Sequence, residues 1–167
     1  MTRSRGHGHY DFAVPVYLVR HAHAGNRSGW NGDDSSRPVS PKGHLQALGL
    51  LEWLADEPVG RVISSPAARC IETVAPLADD RGLTVETRRW LAEGSGARPC
   101  IEAILALGNG GVVLCSHGDL IPKVIRQLRA DGMATNDPNL SQKGSTWVLE
   151  VDDGRVVSGR YQPPPKV

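Results

Sequence analysis

The chain has 167 residues, room for one domain with a real core. Hydrophobic residues make up 40% and charged residues 22%, and 19 Lys and Arg against 18 Asp and Glu leave a net charge of +1. That balance gives no basic footprint for nucleic acid or a membrane surface, and no apolar run approaches the ~18 residues that span a bilayer.

Residues 1–12 have no apolar stretch, so they read as a mobile tail and not as a secretory signal; His7 and His9 belong to it. Val16 to Val19 is a short apolar run and reads as a buried strand, with Pro15 at its entrance. It delivers Arg20-His21-Ala22-His23-Ala24-Gly25 to its carboxyl end. Asn26 to Arg37, rich in Gly, Asn, Asp and Ser, is a loop in which Asp33 and Asp34 are expected only to shape the path. Ser40-Pro41 starts a helix, Ser as N-cap and Pro in the first turn, and Glu57-Pro58 ends it. The spacing of His44, Ala47, Leu48, Leu51, Leu54 and Ala55 predicts its buried face.

Val62-Ile63 forms a second strand, and Ser64-Ser65-Pro66 repeats the strand-to-helix step with Ser65 as the expected N-cap. Arg69 then falls in the first turn of a helix that Pro76 should kink or end. Leu83 to Thr87 is a short third strand, Leu91 to Arg98 a loop, and Pro99 to Leu107 a helix. Gly108 to Gly111 is a turn, because it precedes a strand where a phosphate cradle would follow one. Val112 to Cys115 is the most apolar strand and the expected centre of the sheet, ending in Ser116-His117-Gly118-Asp119. A helix carrying Leu120, Ile121, Val124, Ile125 and Leu128 follows. Asp131 to Gly144 is a long polar loop, and Thr146–Val151 with Arg155–Val157 reads as a hairpin before a tail over 162–167.

Alternating strands and helices predict an α/β fold: a mostly parallel central sheet covered on both faces, three layers in all. Arg20-His21, Ser65 with Arg69, and Ser116-His117 would then meet at the carboxyl edge of the sheet, where open α/β sheets bind ligands. Two arginines, two histidines and two helix N-termini at one edge form a phosphate site. Cys70, Cys100 and Cys115 are odd in number and widely spaced, which fits buried thiols in a reducing cytoplasm better than disulfides or a zinc site. Cys100 or Cys115 as nucleophile is the rarer alternative.

Leu18-Val19-Arg20-His21-Ala22, the Ser64-to-Arg69 stretch and Ser116-His117-Gly118, in that order, resemble the three signatures of the histidine phosphatase superfamily, the phosphoglycerate mutase-like fold. Ala22 stands where the family's usual glycine would be. The likeness covers roughly residues 14 to 151, and the short frame is most similar to the small phosphohistidine-phosphatase branch. It is also similar to the histidine phosphatase domain attached to actinobacterial Nudix hydrolases, with no Nudix half here; Lys143 to Leu149 carries that second likeness.

The resemblance implies a single domain over 1–167 that is a metal-independent phosphatase without cofactor. His21 would take the phosphoryl group, and Arg20, Arg69 and His117 would hold its oxygens. Glu93 is the candidate acid and base, since mutase-like members place a glutamate after the third strand; Asp119 lies one residue later than the aspartate of other branches. The small branch can dispense with an acid, because imidazole leaves readily. Arg37, Lys143 and Ser145 would touch substrate or be solvated loop residues. The partner would be a small phosphorylated metabolite, a nucleotide or a phosphoprotein; oligomeric state is open. Two other readings stay in play: a metal-dependent hydrolase built on His21, His23 and His117, and a non-catalytic module that binds phosphate.

Overall fold

A computed structural model of the chain describes residues 14–167, so the tail expected over 1–12, with His7 and His9, lies outside the described residues. Six strands form one sheet: β1 (Val16–Arg20), β2 (Arg61–Ser64), β3 (Val85–Thr87), β4 (Val112–Ser116), β5 (Thr146–Asp152) and β6 (Arg155–Gln162). Their order is β3-β2-β4-β1-β5-β6. β1, β2, β3 and β4 run parallel, and the β5–β6 hairpin adds an antiparallel edge beside β1. All five residues of β4 are buried, as its unbroken apolar sequence requires of a strand covered on both faces.

Alternate side chains of β1 enter opposite cores, the period-two consequence of strand geometry. Val16 and Leu18 join Ile63, Leu114 and Trp147 beneath α3 (Ala97–Leu107) and α4 (Leu120–Ala130). Tyr17 and Val19 join Val62, Val113 and Cys115 beneath α1 (Pro41–Trp53) and α2 (Ala68–Asp80). The result is the expected three-layer α/β architecture, a mostly parallel sheet between two helix pairs. The five apolar residues expected on the inner face of α4 are all buried. Among the described residues no helix is long and apolar enough to cross a membrane.

Several local expectations are corrected. α1 stops at Trp53, short of Glu57-Pro58, because the Arg81 guanidinium takes the carbonyls of Leu54, Ala55 and Glu57. Its inner face is Gly43, Gln46, Ala47 and Leu50, while His44 and Leu48 face solvent. The turn after β1 sets that rotation: the His23 carbonyl lies where a Cβ on Gly43 would stand, 2.0 Å away. Gly43→Ala therefore forces backbone apart, and urea unfolding is expected to show a loss of about 1–3 kcal/mol or more.

α2 is capped by the extended backbone of Ala67, not by Ser65, whose hydroxyl is committed elsewhere. The helix runs four residues past Pro76 to Asp80, held by buried Leu77 and Ala78. α3 begins two residues early, at Ala97. β3 is shorter than expected and starts at Val85. β6 extends to Gln162 because it pairs with β5 along its whole length, Thr146 opposite Gln162. Beyond it Pro165 packs on α1, where a Cβ on Gly49 would lie 2.4 Å from the proline Cβ.

Candidate active site

β1, β2 and β4 stay paired to their carboxyl ends, and the residues at and after those ends line one cavity of about 260 Å³. Arg20, His21, Arg69, Glu93, His117, Arg37 and Lys143 all line it, with Arg27, Asn26, Gly118 and Asp119. Residues up to 123 positions apart in the chain meet there because parallel strands end together at one edge.

The turn after β1 is fastened on every side. Ala22 N–H donates to Thr73 Oγ1 (2.8 Å) on α2. His23 N–H donates to Gln46 Oε1 (2.8 Å) on α1, and Gln46 Nε2 donates to the Lys143 carbonyl at 3.2 Å. The N–H groups of Ser40 and Gly144 close on the carbonyls of His23 and His21 (2.9 and 3.1 Å). His21 is thus held with a side chain only 5% exposed.

His21 Nδ1 lies 2.8 Å from the Ala22 carbonyl oxygen. A carbonyl only accepts, so Nδ1 carries the proton and Nε2 keeps its lone pair. Burial, with the charges of Arg69 and Arg20 and the nearby His117, pushes the imidazole down to about 3. The ring is neutral at ordinary pH, as a nucleophile must be. His117 stands edge-on to it with ring centroids 5.5 Å apart. Its Nε2 meets Ser65 Oγ at 2.8 Å, the role that removes Ser65 from capping α2, and its Nδ1 lies 3.4 Å from Arg69 Nη2.

Arg20 donates from Nη1 to the Ser141 carbonyl at 2.6 Å, and its head lies against Gly118, where an added Cβ would come within 2.5 Å of Cζ. Glycine there lets the guanidinium approach the β4 strand end. Arg69 is 2% exposed and donates to the Asp34 carbonyl (2.9 Å) and to its carboxylate (3.1 Å). The Nε atoms of Arg20 and Arg69 are buried without a hydrogen-bond partner among the described residues. Buried unpaired donors are costly, and an anion in this cavity is the natural complement of two such guanidinium groups.

The acidic residues take more specific places than the sequence indicated. Partial desolvation pushes the Asp34 carboxyl up, but the Arg37 hydrogen bond and the charges of Arg69 and Arg27 outweigh it and hold the group below the usual aspartate range. Asp34 is therefore no mere loop former; it ties three arginines around the cavity. Asp33 does shape the loop, accepting from Ser35 N–H. Glu93 lies on the wall with one oxygen 2.7 Å from Arg27 and the other 3.5 Å from Arg69. Asp119 also lines the cavity, its carboxylate accepting from Gly94 N–H at 2.8 Å.

Arg37 is 6% exposed and spends its head on the Ala24 carbonyl (2.6 Å) and Asp34, so it braces the turn as well as facing the cavity. Burial and the charges of Arg20 and Arg37 pull the Lys143 ammonium below its usual range. Ser145 does not reach the cavity; it is buried and donates to the Gln142 carbonyl. His23 turns away, with Nδ1 2.7 Å from Ser40 Oγ. His21, His23 and His117 therefore do not converge, and among the described residues no three metal-ligating side chains form a cage. Burial pushes the Cys100 thiol up to about 12 and raises that of Cys115, so neither offers a thiolate.

Asp34, Thr73 and Gln46 are not recognisable from the sequence as parts of the site, and the sequence places Ser65 at its edge without showing its contact with His117.

The family model of the histidine phosphatase superfamily (branch 1) matches residues 16–97. The 8-oxo-(d)GTP phosphatase of Mycolicibacterium smegmatis is 31% identical over 155 residues, which are 90% of this chain and 48% of that protein. The chain thus spans about half the length of the curated relatives it matches. Among solved structures, the protein histidine phosphatase SixA complexed with tungstate superposes with a TM-score of 0.71 at 22% identity, over 90% of this chain and 96% of that one. A mycobacterial glucosyl-3-phosphoglycerate phosphatase with VO3 gives 0.66 at 18% identity, over 90% and 98%. At those identities the likeness is one of fold.

Proposed function

The chain belongs to the histidine phosphatase superfamily, and from that footing we propose that it is a phosphoric monoester hydrolase working through a phosphohistidine on His21. The observation that carries the reading is the neutral, oriented His21 imidazole, its Nδ1 on the Ala22 carbonyl, in one cavity with Arg20, Arg69 and His117. The Nε2 lone pair attacks phosphorus as the bond to the leaving oxygen breaks. Arg20, Arg69 and a protonated His117 hold the phosphoryl oxygens while charge spreads over them. Water then attacks the phosphohistidine, the P–N bond breaks, and inorganic phosphate leaves.

Glu93 supplies the proton to the leaving oxygen and takes one from the attacking water. For this both Arg27 and Arg69 must release Glu93, Arg69 turning to the phosphoryl group. Glu93→Gln is expected to lower kcat/KM, which reports formation of the phosphohistidine, about 10²-fold for an alkyl phosphate and far less for an aryl phosphate, whose leaving group needs no proton. An equal loss of kcat/KM with both substrates would remove Glu93 as the acid for the leaving oxygen.

The arginine clasp on Glu93 also favours a second reading, a protein phosphohistidine phosphatase, whose imidazole leaving group makes no demand on a carboxylic acid. The experiment that tests the main reading is turnover of an aryl phosphate in excess chelator, with rapid acid-free quench to trap labelled phosphate on the protein. Chelator-resistant turnover with a trapped phosphohistidine is expected. Activity lost to chelator would shift the reading to a metal hydrolase, and phosphate binding without turnover of any phosphoester or phosphohistidine would shift it to a binding module.

A further inference from the structure

Between β1 and α1 the chain leaves a whole indole at the surface. Trp30 is 38% exposed, although its Nε1–H is fixed on the Asp33 carbonyl at 2.9 Å. It walls a second cavity of about 270 Å³, together with Gly29, Pro38 and Val39. This cavity shares Gly25, Asn26 and Arg37 with the phosphate-sized one, so the two lie side by side. Taken together they reach the size of small-molecule sites, ~300–1,000 Å³, where a phosphate alone would need only the first.

The two halves differ in chemistry. The first is dominated by guanidinium, imidazole and ammonium groups with Glu93 and Asp119 among them, and the second adds an indole, Ala24, Pro38 and Val39, with Ser40 the one further polar side chain. A ligand that fits both carries a phosphate at one end and a planar, apolar-faced ring at the other. Arg27, Arg37 and Lys143 stand at this rim outside the set formed by Arg20, Arg69 and His117; Asp34 and Glu93 already pair with the two arginines, which leaves the Lys143 ammonium as the added cation. The indole is not free to drift, since Asp34, four residues on, is bonded to Arg69 through both backbone and carboxylate.

We propose that Trp30 and the cavity beside it form a base-stacking subsite, which makes the substrate of this phosphatase a nucleoside phosphate. The proposal rests on the reading of the first cavity as a phosphatase site. Stacking on an indole is tolerant of base identity, because every base has a π-face. The subsite therefore distinguishes nucleotides from sugar phosphates and only weakly one base from another.

The test is calorimetric titration of His21→Ala protein, which cannot turn substrate over, with guanosine 5′-monophosphate, cytidine 5′-monophosphate and ribose 5-phosphate. Both nucleotides are expected to bind at least about 10-fold more tightly than ribose 5-phosphate. Adding Trp30→Ala is expected to collapse that ratio to within about threefold, while Trp30→Phe retains most of it. Equal affinities for nucleotide and ribose phosphate would overturn the subsite. So would a ratio that survives Trp30→Ala, including the case where both ligands weaken together because the loop has lost its shape. Failure of the phosphatase reading looks different: the unmutated protein would then turn over neither nucleotide nor aryl phosphate, with the binding ratio intact.

Discussion

Turnover of an aryl phosphate is expected to fall at least about 10⁴-fold on replacing His21 with Ala, since the nucleophile itself is lost and water must attack directly. The same variant is expected to accumulate no acid-labile phosphoprotein in a quench experiment. Residual turnover within tenfold of the unmutated protein would sink the covalent route. A second signature follows from the ring's environment. An ordinary histidine gains its proton near pH 6.5, whereas burial and the neighbouring cations hold His21 to about 3. Its imidazole resonance should stay fixed between pH 8 and 5 in an NMR titration. Over the window from about 6.5 down to about 3 the unfolded chain binds a proton that the folded chain refuses. Stability contributed at this position is present above about pH 6.5 and falls as the pH drops. His21→Ala removes that linkage, so the inactive variant should lose less stability between pH 7 and 5 than the parent does, measured by urea unfolding at each pH.

Arg69→Ala is expected to cost about 10²–10³-fold in kcat/KM, and Arg69→Lys should recover little of it. Lysine restores a charge but not the fork that reaches the Asp34 carbonyl and carboxylate while facing the cavity. Because Asp34 keeps Arg27 and Arg37 as partners, the loss of stability should be moderate, ~1–3 kcal/mol by urea unfolding. Asp34→Asn separates the two roles: the guanidinium remains but loses its carboxylate anchor, and KM should rise more than kcat falls. A lysine variant with near-normal kcat/KM would show that Arg69 acts as a diffuse positive charge and not as an oriented donor pair.

The cavity walls show how unevenly a sequence declares its site. Arg20 and His21 are legible because an apolar run of strand length delivers them to a turn. His117 follows from the same logic at the end of β4, and Arg69 from its place in the first turn of α2. Each of those inferences uses periodicity and chain direction, which are local. Asp34 is not legible, although it holds three arginines, because it sits in an irregular loop whose path depends on what it packs against. Asp119 stands one residue late in the sequence pattern, yet its place at the N-cap of α4 carries it to the cavity and to Gly94. Ser65 misleads in the opposite way. A serine before a proline reads as a helix cap, but the His117 ring takes its hydroxyl first.

Composition, strand and helix order, and the three strand ends follow from residues near one another in the chain, because hydrophobic period and turn chemistry act over a few residues. They are enough for the three-layer α/β fold and for the meeting of Arg20, His21, Arg69 and His117 at its carboxyl edge. The rotation of α1, the bracing of the β1 turn by Gln46 and Thr73, and the arginine clasp on Glu93 come from assembly. Those pairings join backbone and side-chain groups 23 to 66 residues apart, and their choice depends on which groups packing leaves unsatisfied at a common edge. Trp30 belongs to the same class: its sequence neighbours mark a loop, and only the fold sets its indole beside the cavity that suits phosphate.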